Sequence, residues 1–136
     1  AEDGIRDVAV TGVQTCALPI FRFVADTDKL RTKGLMHAEP LDEYEVVYFS
    51  FDYPDSYSFW NKNVSFPLSL AFLDKNNKIL DIKDMEADDP KSVGPDSNKV
   101  VNVVEANKDT FKKLDIQIDD FLVLKGEDLI LRKNKE

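Results

Sequence analysis

Residues 67–85 read PLSLAFLDKNNKILDIKDM, and this stretch decides the fold class. Pro67 introduces a strand rather than sitting inside one, because it cannot donate to a sheet ladder. Leu68 to Asp74 then supplies the strand. Lys75-Asn76-Asn77-Lys78 is a hairpin turn, since asparagine tolerates the positive φ that tight hairpins demand. Ile79, Leu80 and Ile82 carry the return strand, which ends near Met85 or Glu86.

The chain on either side has the same grain. Phe21, Phe23 and Ala25 alternate with Arg22 and Val24, a strand already under way. Thr27 or Asp26 caps a short helix over Asp28 to Lys33, and Gly34 stands where a left-handed stop is needed. Leu30, Leu35 and Met36 are its expected core contacts, and Pro40 to Tyr44 is a loop. In Glu45 to Phe51 the residues Val47, Phe49 and Phe51 mark one apolar strand face. Asp52 to Ser56, with Pro54 inside, reads as a turn. Tyr57 to Asn61 reads as a further strand.

Downstream, Ala87 to Lys99 is a polar loop with two prolines and a glycine. Val100 to Glu105 is a β-branched strand. Asn107 is placed to cap a second short helix in which Phe111 and Leu114 share a face. Phe121 to Leu124 and Asp128 to Leu131 form a closing hairpin around Lys125-Gly126, followed by a charged tail. The expectation is a mainly β (β-rich α+β) fold over residues 21–132. It would be a single compact antiparallel-rich barrel or sandwich with two short helices.

Composition narrows the functional classes. The 136 residues are 43% hydrophobic and 10% aromatic, enough to bury one core. A net charge of -8 argues against a nucleic-acid partner, because neutralising phosphates takes clustered Lys and Arg. No apolar run is long enough to span a bilayer as a helix. No phosphate loop, dinucleotide fingerprint or nucleophile elbow is present. No cofactor is expected.

Ala1 to Ile20 has neither strand alternation nor a helical face, and lacks the order of a signal peptide. It matches a translated sequencing-adapter oligonucleotide, with Ala1–Asp7 and Val10–Ile20 from its constant parts and Val8-Ala9 from the index between. Residues 1–20 are therefore expected to lie outside the domain, with the native N-terminus and any export signal missing. Cys16, the only cysteine, falls in that stretch. With neither a second cysteine nor a second histidine beside His37, no zinc site is expected.

Several pieces carry a family resemblance. They are Gly34-Leu35-Met36, Ser58-Phe59-Trp60-Asn61-Lys62-Asn63, Pro67-Leu68 with Ala71-Phe72, Ser92-Val93-Gly94-Pro95, Glu105-Ala106-Asn107 with Phe111, and Asp119-Asp120. In order and spacing they resemble the domain-of-unknown-function 192 family, whose central motif reads roughly GLM, then sFWMKNT-x-x-PLDIAF. Asn61 replaces the usual Met, Val64 the usual Thr, Ser69 the usual Asp and Val93 the usual Tyr. Ala38 stands where a basic residue is common. The resemblance implies a compact β-rich fold, an extracytoplasmic setting (periplasmic or lipid-anchored), and no established reaction.

Two clusters are candidate sites. In a strand, Trp60 and Lys62 would share one face while Asn61 and Asn63 share the other. Trp60, Lys62 and Asn63 could floor a pocket for a small polar ligand or a glycan stacked on the indole; the bland alternative is Trp60 in the core. Glu105, with Asn107 beside it, ends a β-branched strand and could pair with Lys62, as a site or as a structural tie. The acidic run Asp81, Asp84, Glu86, Asp88 and Asp89 raises calcium, but it lacks EF-hand spacing and reads as a solvated surface. The expected role is a non-catalytic ligand-binding or accessory domain. The rivals are a hydrolase using Glu105 or the acidic loop, and a partner-binding envelope module. A concave pocket beside Trp60 favours the first, two inward carboxylates the second, and a flat apolar patch the third. The oligomeric state stays open.

Overall fold

The computed structural model describes residues 20–125 and 128–130. Cys16, Gly126, Leu131 and the charged tail lie outside the described residues. The fold is mainly β. Strands β1 (Ile20–Ala25), β2 (Glu45–Asp55), β3 (Leu68–Leu73), β4 (Ile79–Met85) and β5 (Val100–Asn107) form one five-stranded sheet in the order β1-β2-β5-β3-β4. Strands β6 (Val123–Lys125) and β7 (Asp128–Ile130) make a separate antiparallel ribbon. Two short helices, α1 (Asp28–Lys33) and α2 (Thr110–Lys113), complete the described elements. Only the edge pair β1–β2 is parallel; every other pairing in the large sheet is antiparallel. The sheet does not close into a barrel, and its two covered faces give it a sandwich-like section.

The opening hairpin forms as the sequence suggests, and its turn has a second device. Asn77 takes a φ of 64°, while the Asp74 carboxylate accepts from the backbone N–H groups of Asn76 (2.8 Å) and Lys78 (3.0 Å). Alternation then sorts the strands between two layers. Val47, Phe49, Leu68, Leu70, Phe72 and Val103 face one core, and Val46, Ala71, Leu73, Val104 and Ala106 the other. The second layer is closed by Phe111, Ile116 and Leu122. Every residue of β3 is buried, which is why its sequence is almost continuously apolar.

Helix α1 is capped as expected. The Thr27 hydroxyl accepts from the Leu30 N–H (3.2 Å), and Gly34 ends the helix at φ 49°, a conformation that side chains rarely tolerate. Leu30, however, is exposed and the helix buries no residue; Leu35 and Met36, just beyond it, make the core contacts. Three other expectations are corrected. Asp52 to Ser56 is not a turn, because β2 continues through Pro54 to Asp55 on an exposed stretch where proline costs no ladder bond. Tyr57 to Asn61 is not a sheet strand. Both edges of β5 are already taken by β2 and β3, so the segment crosses the sheet face and makes one bridge, Phe59 to Val93. Gly94 sits so close to Ser58 that a Cβ there would lie 2.8 Å from its Oγ, which holds the 92–95 loop against this strap. Finally, Asn107 does not cap α2. It ends β5, and Asp109 takes the N-cap position with φ 80° and no side-chain cap bond.

Candidate functional site

The strap from Tyr57 to Phe66 roofs the first core layer without filling it. Between strap, α1 and sheet lies a pocket of about 350 Å³ whose walls include Phe49, Phe51, Tyr57, Phe59 and Trp60. The rings hold one another. Phe51 stacks on Tyr57 at 3.6 Å between centroids, and Phe59 meets Phe49 edge-on at 5.0 Å. The Tyr57 hydroxyl donates to the Tyr53 carbonyl. Arg31, on the wall, donates through Nε to Ser50 O (2.8 Å), through Nη1 to Asp28 (2.9 Å) and through Nη2 to Asp26 O (3.1 Å), and lies 5.0 Å over the Phe51 ring.

Glu105 is the one carboxylate among the lining residues. Its strand position explains its burial: it pairs with Val47 on one side and Leu70 on the other, at the centre of the sheet. Only 4% of it is exposed, and its Oε1 has no hydrogen-bond partner. Burial without a compensating charge pushes its carboxyl up from 4.5 to about 8, so the acid is protonated at neutral pH.

Asn61 lines the same pocket at 1% exposure. Its Nδ2 donates to Phe66 O (3.0 Å) and Glu86 O (2.9 Å). Two carbonyl acceptors fix the amide's orientation, and its Oδ1 is left buried with no partner. Among the described residues these two oxygens are the only buried side-chain nitrogen or oxygen atoms without a hydrogen-bond partner, and both belong to residues lining this one pocket.

The structure redistributes the residues singled out from sequence. Trp60 and Glu105 share the pocket. Trp60 is 48% exposed, so it belongs to the mouth and not to the core. Lys62 does sit on the same side as Trp60, its Nζ 5.2 Å over the indole, but outside the pocket lining. The expected Lys62–Glu105 pair does not form. Lys62 is in an exposed turn while Glu105 is under the strap, and no ion pair within 4.0 Å joins them. Asn63 shapes that turn with φ 62°, its carbonyl accepting from His37 N (2.9 Å). Asn107 lies outside the pocket lining, its Nδ2 donating to Leu41 O (3.0 Å) and Asp42 O (3.2 Å). Asn61 was not among the expected site residues; the signal for it was the polar side chain where the resembling motif carries Met.

The acidic run does not converge. Asp81 faces Lys83 (3.8 Å), Asp84 accepts from the Ser69 hydroxyl (2.6 Å), Glu86 faces Lys108 (3.7 Å) and Asp89 accepts from Lys91 N (2.9 Å). Among the described residues no group of three or more His, Cys, Asp or Glu side chains is placed to hold a metal ion. No helix among them is long and apolar enough to cross a membrane.

Comparison with solved structures finds the same fold elsewhere. A protein of unknown function from Novosphingobium aromaticivorans is 26% identical, with a TM-score of 0.69 over 76% of this chain and 74% of that one. A putative transcription regulator from Sinorhizobium meliloti is 23% identical, with a TM-score of 0.68 over 72% and 76%, a likeness of fold alone. A search of curated proteins finds no match. The family model DUF192, described as "Uncharacterized ACR", matches residues 14–124, which includes the last seven residues of the 1–20 segment. The chain belongs to the DUF192 family.

Proposed function

We propose that this domain binds a small polar ligand in the aromatic pocket under the 57–66 strap, with Trp60 at the mouth and Glu105 and Asn61 as polar contacts at depth. The observation that carries the reading is the coincidence of two buried, unpartnered oxygens on one concave, aromatic-lined pocket. A folded protein leaves few such atoms unsatisfied, because each costs about 1–3 kcal/mol. Two on one pocket are supplied with partners when a ligand brings them. A sugar ring stacking on Trp60, with Lys62 beside the indole, belongs to the same proposal. A second carboxylate, which two-acid hydrolysis needs, is absent from the lining residues. An extracytoplasmic setting is part of the proposal and rests on the family resemblance.

The test is thermal unfolding of the 136-residue chain with a panel of sugars, nucleotides and small amines. A ligand that binds only the folded state raises the midpoint. A rise that disappears in Trp60→Ala, with the fold retained, supports the pocket. No rise with any compound overturns it.

A further inference from the structure

We propose that the head group this pocket selects is a protonated amine, a deeper reading that rests on the pocket's being a ligand site. The donors and acceptors at depth set the preference. The amide donors of Asn61 are both spent on Phe66 O and Glu86 O. The guanidinium of Arg31 is held at each of its three nitrogens, by Ser50 O, Asp28 and Asp26 O. What stays open is Asn61 Oδ1 and Glu105 Oε1, both oxygens. A hydroxyl head offers one donor to these two oxygens, whereas an ammonium offers three. An ammonium brings N–H groups alone, and an ionised carboxylate only accepts.

The walls point the same way. Ring faces attract cations, and two protein cations already lie over rings of this wall, Arg31 over Phe51 and Lys62 over Trp60, while Lys33 also lines the pocket. Among the described residues no ion pair joins a cation to Glu105, so the carboxyl stands without a counter-charge on an aromatic-walled pocket. The chain's net charge of -8 favours the approach of a cation over that of an anion. Proton balance follows. In the free protein Glu105 carries its proton at neutral pH; when R–NH3+ enters, that proton leaves to solvent and the carboxylate accepts an ammonium N–H instead. Each molecule bound near pH 7 therefore releases about one proton.

The experiment uses matched pairs that differ in the head alone: n-butylammonium against 1-butanol, and benzylammonium against benzyl alcohol. Binding is followed by calorimetry and by the unfolding midpoint of the full chain. The ammonium members are expected to bind at least tenfold more tightly than their alcohols. Their affinity should rise by tenfold or more from pH 6 to pH 8, with proton release seen as a buffer-dependent enthalpy at pH 7. Glu105→Gln should abolish the preference, its own melt reporting that it folds. Alcohols binding as well as ammoniums, with the response lost in Trp60→Ala, would overturn the amine and leave the pocket standing. An ammonium response that survives Glu105→Gln would also overturn it. Silence from all four probes and from the sugars, nucleotides and amines of the wider panel would overturn both.

Discussion

Glu105→Gln separates the burial of this carboxyl from everything else in the fold. Its value rises from 4.5 to about 8 on folding, through desolvation. The folded state therefore holds a proton that the unfolded chain has released, across that whole interval. The stability associated with the protonated acid is complete below pH 4.5 and is lost as pH climbs toward 8. At about 1.4 kcal/mol for each pH unit crossed, the loss is on the order of 5 kcal/mol. For a domain of this size, at roughly 4 °C per kcal/mol, the midpoint should fall by on the order of 15–20 °C between pH 4.5 and 9. The opposite trend of Glu45, whose carboxyl is held low chiefly by the Arg22 hydrogen bonds, belongs to pH below 4.5 and stays clear of this window. Glutamine keeps the shape and neutrality of the protonated acid. The variant should match the wild type within about 1 kcal/mol at pH 5 and be the more stable protein at pH 9. Differential scanning calorimetry of both chains from pH 5 to 9 is the assay. Parallel profiles would refute the buried, unpaired carboxyl.

Asn61→Asp places a carboxylate against the carbonyls of Phe66 and Glu86 and should cost about 2–4 kcal/mol in urea unfolding at pH 7. Arg22 binds Glu45 through two nitrogens (3.0 and 2.8 Å) and donates to Glu39 O and Pro40 O. Arg22→Lys keeps the charge but not the fork, so denaturation at pH 7 should show a loss of about 1–2 kcal/mol. The Glu45 contribution is present above the ordinary 4.5 and disappears as pH falls through its depressed folded value. The difference between Arg22→Lys and wild type should therefore shrink in acid. Asn107→Ala removes two bonds to the 41–42 loop and should cost about 1–2 kcal/mol while leaving ligand responses unchanged; altered binding would return Asn107 to the site.

The sheet was legible where side chains alternate and turns carry Asn, Gly or Pro. The β3–β4 hairpin, β5 and α1 sit close to where the residues placed them, since periodicity and caps are local signals. The strap was misread because alternation also describes an extended segment lying across a sheet. Only the count of edges on β5, a tertiary fact, shows that Tyr57 to Asn61 has no strand to join. Asn107 was misread because Asn before a short helix is a common cap, whereas here the strand runs two residues longer than expected. For the site, Trp60 and Glu105 were visible as an aromatic and an acid in strand-like settings. Their meeting was not, because Lys62 offered an obvious partner for Glu105 and nothing local told which lay under the strap.

Position 105 breaks the pattern of its own strand. Val103 and Val104 before it and Ala106 after it are buried and apolar, and its cross-strand neighbours Val47 and Leu70 are too. A carboxyl on a flexible loop could turn outward and regain water. One anchored between two ladders at the middle of a sheet has little freedom to do so. At pH 7 the fold gives up about 3 kcal/mol, relative to pH 4.5, by holding that acid protonated. Valine or leucine, like its neighbours, would carry no such cost. A role in holding the sheet together does not account for an acid there, because the acid weakens the sheet at neutral pH. The proposed ligand, entering from the mouth, would account for the acid, its lack of a protein counter-charge and the aromatic walls together. Replacing Glu105 should therefore move stability and binding in opposite directions at pH 7, a more stable protein that has lost its ligand response.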